Sequence, residues 1–127
     1  MTDQLKDLTV LVVDDHFPTR DMVKTILREF GFTKVLQADN GANALQRLEE
    51  NEVDLVICDW NMPGTSGIEL LRSLRKKDRY QNLPFLMLTA EVYKENVQEA
   101  IRLGVTDYIA KPFTAETLLQ KIMATLK

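Results

Sequence analysis

Apolar residues along the chain follow two alternating patterns. Short β-branched and aliphatic runs occur at Leu8 to Val13, Val35 to Ala38, Val53 to Cys58, Leu83 to Leu88 and Val105 to Ala110. Their apolarity is continuous rather than alternating, as expected of strands buried on both faces. Five strands are therefore predicted. Between them lie stripes at helical spacing: Val23, Ile26, Leu27 and Phe30; Ala44, Leu45 and Leu48; Ile68, Leu71 and Leu74; Val97, Ala100 and Ile101; and Leu118, Leu119, Ile122, Met123 and Leu126. Each stripe predicts one amphipathic helix with its apolar side on the sheet.

Local signals agree with these boundaries. Pro18 suits the first turn of a helix, and Gly31 and Gly104 fall just past the last periodic residue, where a left-handed C-terminal cap favours glycine. Thr114 offers an N-cap for the last helix. Strand and helix alternating in this way imply right-handed crossovers and a parallel sheet with helices on both faces. The expected fold class is α/β: a doubly wound, five-stranded parallel sheet with five helices and the flavodoxin-like strand order 2-1-3-4-5.

The chain has 127 residues, enough for one compact domain over residues 1–127 and too few for an added catalytic or DNA-binding module. Hydrophobic residues make up 45% and charged residues 28%, which excludes a disordered tail. The 19 Asp+Glu outnumber the 16 Lys+Arg for a net charge of -3, which argues against sequence-independent binding to nucleic acid or to anionic membranes. The single cysteine, Cys58, lies in an apolar run and fits a reducing compartment. The N-terminal stretch lacks the features of a signal peptide, and no run approaches the roughly 18 apolar residues of a membrane span, so a cytoplasmic protein is expected.

In sheets of this kind ligands bind beyond the carboxyl ends of the strands, where the strand order reverses between strands 1 and 3. Strand 1 runs into Asp14 and Asp15, strand 3 into Asp59, strand 4 into Thr89 and strand 5 into Lys111. Each has a purely structural alternative: the aspartates as a cap for helix 1 or an Asx turn at Asp59, Thr89 as a surface cap, Lys111 as a solvated side chain. Their convergence on one edge favours a common site. Three neighbouring carboxylates repel one another until a proton or a cation relieves them. An all-oxygen set favours Mg²⁺, whereas the lone His16 and lone Cys58 cannot build a zinc site. His16 is expected to be a loop residue near the site. A spare carboxylate beside a hard cation suits phosphoryl transfer, with Asp59 as nucleophile, Lys111 supplying positive charge and Thr89 a hydrogen bond.

These motifs together resemble the receiver domain of two-component response regulators over essentially the whole chain. The resemblance rests on the Asp14-Asp15 pair, Asp59-Trp60-Asn61-Met62-Pro63-Gly64, Thr89-Ala90-Glu91 and Lys111-Pro112-Phe113-Thr114-Ala115. It is nearest to the single-domain chemotaxis regulators of the CheY type. The family implies that Asp59 accepts phosphate from a histidine kinase and that Asp14, Asp15, Asp59 and the backbone carbonyl of Asn61 hold Mg²⁺. It implies that Lys111 binds the phosphoryl group, that Lys111-Pro112 is cis, that Thr89 and Tyr108 form the switch pair, and that Asn61 and Glu91 tune dephosphorylation. The expected product is a monomeric signalling switch rather than an enzyme, catalysing only its own phosphorylation and dephosphorylation. Its partners would be a histidine kinase, a flagellar motor switch protein and a phosphatase, with no nucleic acid and no membrane.

The chain departs from common chemotaxis regulators at Val92-Tyr93-Lys94, Asp107-Tyr108 and Ile109-Ala110. These differences bear on the downstream partner, so a stand-alone receiver acting as phosphate sink or relay is the alternative output. A small aspartate-dependent phosphohydrolase is disfavoured by the absence of a cap domain or substrate insert. A flavodoxin-type flavin module is disfavoured because Asp14 and Asp15 would repel the cofactor phosphate.

Overall fold

The computed structural model describes residues 5–62, 64–90 and 94–126, with residues 94–96 described at the backbone only. Val92, Tyr93 and Glu91 lie outside the described residues, as does the side chain of Lys94. Five parallel strands, β1 (Thr9–Val13), β2 (Lys34–Ala38), β3 (Leu55–Asp59), β4 (Phe85–Thr89) and β5 (Asp107–Ala110), form one sheet in the order 2-1-3-4-5. Among the described residues the connecting helices are α1 (Phe17–Phe30), α2 (Gly41–Glu50), α3 (Gly67–Arg75), α4 (Lys94–Arg102) and α5 (Ala115–Leu126).

The continuous apolar runs divide between two cores because successive strand side chains point to opposite faces. Leu11, Val13, Val56, Cys58, Phe85 and Met87 pack with Ala44 and Leu48 of α2, Leu71 and Leu74 of α3, and Ala100 of α4. Val10, Val12, Leu55, Ile57, Leu86, Leu88 and Ile109 pack on the other face with Val23 and Leu27 of α1 and Leu118 and Ile122 of α5. Four strands, β1, β3, β4 and β5, begin one or two residues later than their apolar runs. At β3, for instance, Asp54 turns its carboxylate to the Thr9 N–H at 2.8 Å before the run enters the sheet.

The helix ends follow local chemistry. Asn40, Ser66 and Thr114 cap α2, α3 and α5 by accepting from the N–H groups of Asn43, Glu69 and Thr117 at 2.8, 3.2 and 3.1 Å. Gly31 ends α1 at φ 126° and Gly104 follows α4 at φ 90°, as the glycine spacing predicts. Two stripe residues depart from expectation: Phe30, at the last position of α1, is 38% exposed, and Ile101 of α4 is 62% exposed. The stripe on this short helix is carried by Ala100, buried, and Val97, half-buried, and Ile101 falls outside their arc.

Gly67 opens α3 directly against the end of β3. A Cβ there would stand 2.5 Å from the Asp59 carbonyl oxygen and 2.8 Å from Met87 Sδ. Gly67→Ala is expected to lower stability by about 1–3 kcal/mol, because the first obstacle is main chain that cannot rotate away. Urea unfolding checks this, and Gly64→Ala, with nothing within 4 Å but φ +81°, provides the comparison in which only backbone strain is introduced.

Candidate functional site

Strand register brings the predicted residues to one level. Val13 pairs with Cys58, so the next residues, Asp14 and Asp59, stand side by side across the β1/β3 boundary. Asp59 pairs with Leu88 and Thr89 with Ala110, so Thr89 and Lys111 complete the same edge one residue further on. The ladder continues into the loops, with Trp60 N–H donating to Leu88 O and Lys111 N–H to Thr89 O, both at 2.8 Å.

Asp14 is 0% exposed. Its N–H donates to the Ala38 carbonyl at 3.1 Å, its carbonyl accepts from Arg20 Nη1 at 2.6 Å, and its Oδ1 accepts from the His16 N–H at 2.9 Å. Oδ2 is left buried without a hydrogen-bond partner, 3.7 Å from Lys111 Nζ. Lys111 Nζ instead donates to Asp59 Oδ1 at 2.8 Å. One carboxylate oxygen from each of Asp14, Asp15 and Asp59 lies within 4.8 Å of the others. Burial pushes the Asp14 carboxyl above its usual range; the His16 N–H opposes this, Asp59 adds to it, Lys111 opposes it and Asp15 adds to it.

The remaining residues fall around this centre. Thr89 is buried at the end of β4, so it is not a surface cap. Asn61 is exposed, two residues beyond Asp59. Tyr108 is half-buried on β5, level with Met87, with Lys121 Nζ 5.8 Å from its ring centroid. Glu91 lies outside the described residues. The Lys111-Pro112 peptide is cis.

The cap of α1 is neither Asp14 nor Asp15. His16 is the N-cap, accepting from Thr19 N–H through Nδ1 at 3.4 Å and pairing with Thr19 Oγ1 at 2.6 Å. Cys58 donates its S–H to the Asp59 carbonyl at 3.2 Å, and burial raises its thiol so that it stays protonated. Arg20, which grips the Asp14 carbonyl, was not among the expected site residues. The available signal was its spacing, three residues before Val23 and seven before Leu27, both fully buried.

The donor set fits a hard divalent cation. Its oxygens are all carboxylate, they converge, and the buried Oδ2 of Asp14 has no other hydrogen-bonding partner. Without a cation, Asp14 costs the folded state. A carboxyl whose folded pKa is raised binds more protons folded than unfolded between the two values, so stability falls as pH rises through that interval. Asp14→Asn keeps the Oδ1 acceptor and removes the charge. Urea unfolding without divalent cations should show the variant more stable than the parent at neutral pH by about 1–3 kcal/mol. The difference should disappear below the ordinary carboxyl value of 3.8, where both states are protonated.

No helix among the described residues is long and apolar enough to cross a membrane. The family described as the response regulator receiver domain matches residues 10–123. The chemotaxis protein CheY-3 of Vibrio cholerae serotype O1 is 45% identical over 117 residues, covering 92% of this chain and 90% of that protein. The chemotaxis protein CheY of Pseudomonas aeruginosa is 44% identical over 115 residues, covering 91% and 93%. The solved structure of the chemotaxis response regulator CheY4 of Vibrio cholerae superposes with a TM-score of 0.88 at 37% identity, covering 94% of this chain and 98% of that one. With its strand order, its carboxylate edge and these relatives in agreement, the chain belongs to the response regulator receiver domain family, alongside the chemotaxis regulators of the CheY type.

Proposed function

We propose that the chain works as one receiver unit of a chemotaxis pathway, in which Asp59 accepts a phosphoryl group from a phosphohistidine of a histidine kinase. The observation that carries this reading is the carboxylate of Asp59, level with buried Asp14 and held at 2.8 Å by Lys111. A carboxylate oxygen of Asp59 forms the new bond to phosphorus as the nitrogen–phosphorus bond of the donor breaks, and the departing imidazole carries the electron pair and takes up a proton. Lys111 holds Asp59 beforehand and is within reach of the added charge afterwards. Asp14, Asp15, Asp59 and the backbone carbonyl of Asn61 would hold Mg²⁺, which when bound offsets the negative charge of carboxylates and phosphoryl oxygens. The hydroxyl of Thr89 at the end of β4 donates a hydrogen bond to a phosphoryl oxygen, and Asn61 and Glu91 bear on hydrolysis of the acyl phosphate.

Output is through the face formed by α4, β5 and α5. Lys121 pairs with Asp107 at 3.1 Å and stands over Tyr108, and exposed Ile101 supplies an apolar anchor on α4. An exposed apolar side chain beside an aromatic ring and a lysine that could exchange its Asp107 partner suits an acidic amphipathic segment, and for a chemotaxis regulator a flagellar motor switch protein is the partner we assign to it. A modest preference of that partner for the phosphorylated form suffices to redistribute a two-state switch.

Incubation with a small acyl-phosphate donor and Mg²⁺ should add one phosphoryl group to the intact mass. Asp59→Asn should abolish the gain, and chelation of Mg²⁺ should suppress it in the parent; phosphorylation of Asp59→Asn at the parental rate would remove Asp59 from the role. Titration with the N-terminal segment of a motor switch protein should show binding strengthened by beryllium fluoride. Tyr108→Ala or Ile101→Asp should weaken that binding by about tenfold. Absence of binding in either state would leave a receiver that serves as phosphate sink or relay.

A further inference from the structure

The reading above leaves open what holds Asp15 in the carboxylate cluster. Asp15 is exposed, and its side chain makes no hydrogen bond or salt bridge among the described residues. Its direction is therefore set by its main chain. The plane that carries the Asp15 N–H also carries the Asp14 carbonyl, and a peptide plane is rigid. That carbonyl is the acceptor gripped by Arg20 Nη1 at 2.6 Å. Arg20 is itself held on a second side, because its Nε donates to Gln37 Oε1 at 3.0 Å on β2, and its guanidinium stands 5.4 Å from the Phe17 ring centroid. A guanidinium presents these donors in a fixed fork, so anchoring one arm on Gln37 aims the other.

Asp14 is thus committed at every polar atom but one. Ala38 takes its N–H, Arg20 its carbonyl and His16 its Oδ1, and the remaining oxygen, Oδ2, faces Lys111. Removing the grip on the carbonyl would free the Asp14–Asp15 plane to turn and would carry both carboxylates with it. We propose that Arg20, braced by Gln37, is a positioning residue that sets the Asp14–Asp15 carboxylate pair for cation binding through the peptide plane joining them. The inference rests on the site reading above and extends it to a residue and a brace that touch neither the cation nor phosphate.

The test is Mg²⁺ titration of the purified chain, followed by Trp60 fluorescence and by thermal shift, with phosphorylation by acyl phosphate measured as a function of Mg²⁺. Arg20→Gln is expected to raise the Mg²⁺ Kd about tenfold, as loss of outer-shell support does at metal sites. The Mg²⁺ concentration for half-maximal phosphorylation should rise by the same factor, while the rate at saturating Mg²⁺ changes by less than about twofold. Arg20→Lys, which can serve only one of the two acceptors, should fall between parent and Arg20→Gln. Gln37→Leu keeps the charge of Arg20 but releases its brace, and should weaken Mg²⁺ binding in the same direction; it carries the test if Arg20→Gln does not fold. A lowered melting temperature with unchanged Mg²⁺ affinity in these variants would overturn the inference while leaving the site reading intact. Failure of the parent to respond to Mg²⁺ by fluorescence, thermal shift and phosphorylation would overturn both.

Discussion

Negative charge withdrawn from water at the carboxyl edge of the sheet shapes everything around it. Two carboxylates standing side by side at adjacent strand ends, with a third on the next residue, have few ways to lower their energy. Lys111 neutralises part of the charge by its 2.8 Å bond to Asp59, and the backbone N–H of His16 takes one oxygen of Asp14. The other oxygen of Asp14 is buried and unmatched. A folded state that keeps such a group gives up stability to hold unmatched negative charge at this edge, the charge that a cation would offset.

The same constraint explains the surrounding architecture. Parallel strands in register deliver one residue each to the edge without any long loop, so the spacing of the charged groups is as rigid as the sheet. Gly67 lets α3 begin against the Asp59 carbonyl, and Cys58 fills the space beneath as a protonated thiol. From the edge, the ladder bond from Lys111 N–H to Thr89 O links β5 to β4 next to the site. Further along β5 stands Tyr108, with Lys121 and Asp107 beside it. The edge and Tyr108 are thus joined through two adjacent strands rather than through the whole core.

The opposite end of α4 is tied down. Arg72 of α3 pairs with Glu99 of α4 at 2.7 Å, and Arg75 donates twice to the Gly104 carbonyl, at 3.1 and 2.7 Å, and once to the Tyr80 carbonyl at 2.7 Å. These bonds anchor the C-terminal end of α4 and the turn that leads into β5.

Fold class, strand order and the membership of the edge cluster were legible in the sequence, because each depends on local quantities. Continuous apolar runs identify buried parallel strands, helical stripes identify their crossovers, and the residue after each strand lands at the carboxyl edge whatever the details of packing. What sequence left open depends on contacts between distant segments. Ile101 shares a helical stripe with Ala100 yet faces out, because which arc of a short helix meets the sheet is decided by its docking angle. His16 rather than an aspartate caps α1: the Asp14 carboxylate is buried and accepts from the His16 N–H, while the His16 ring reaches the Thr19 N–H. Arg20 reaches Asp14 and Gln37 at once only because β2 lies beside β1, a pairing that no local pattern around Arg20 encodes. Chain-local chemistry thus determined which groups meet at the edge, and tertiary packing alone decided how each is held, since hydrogen-bond geometry is set by three-dimensional neighbours rather than by sequence distance.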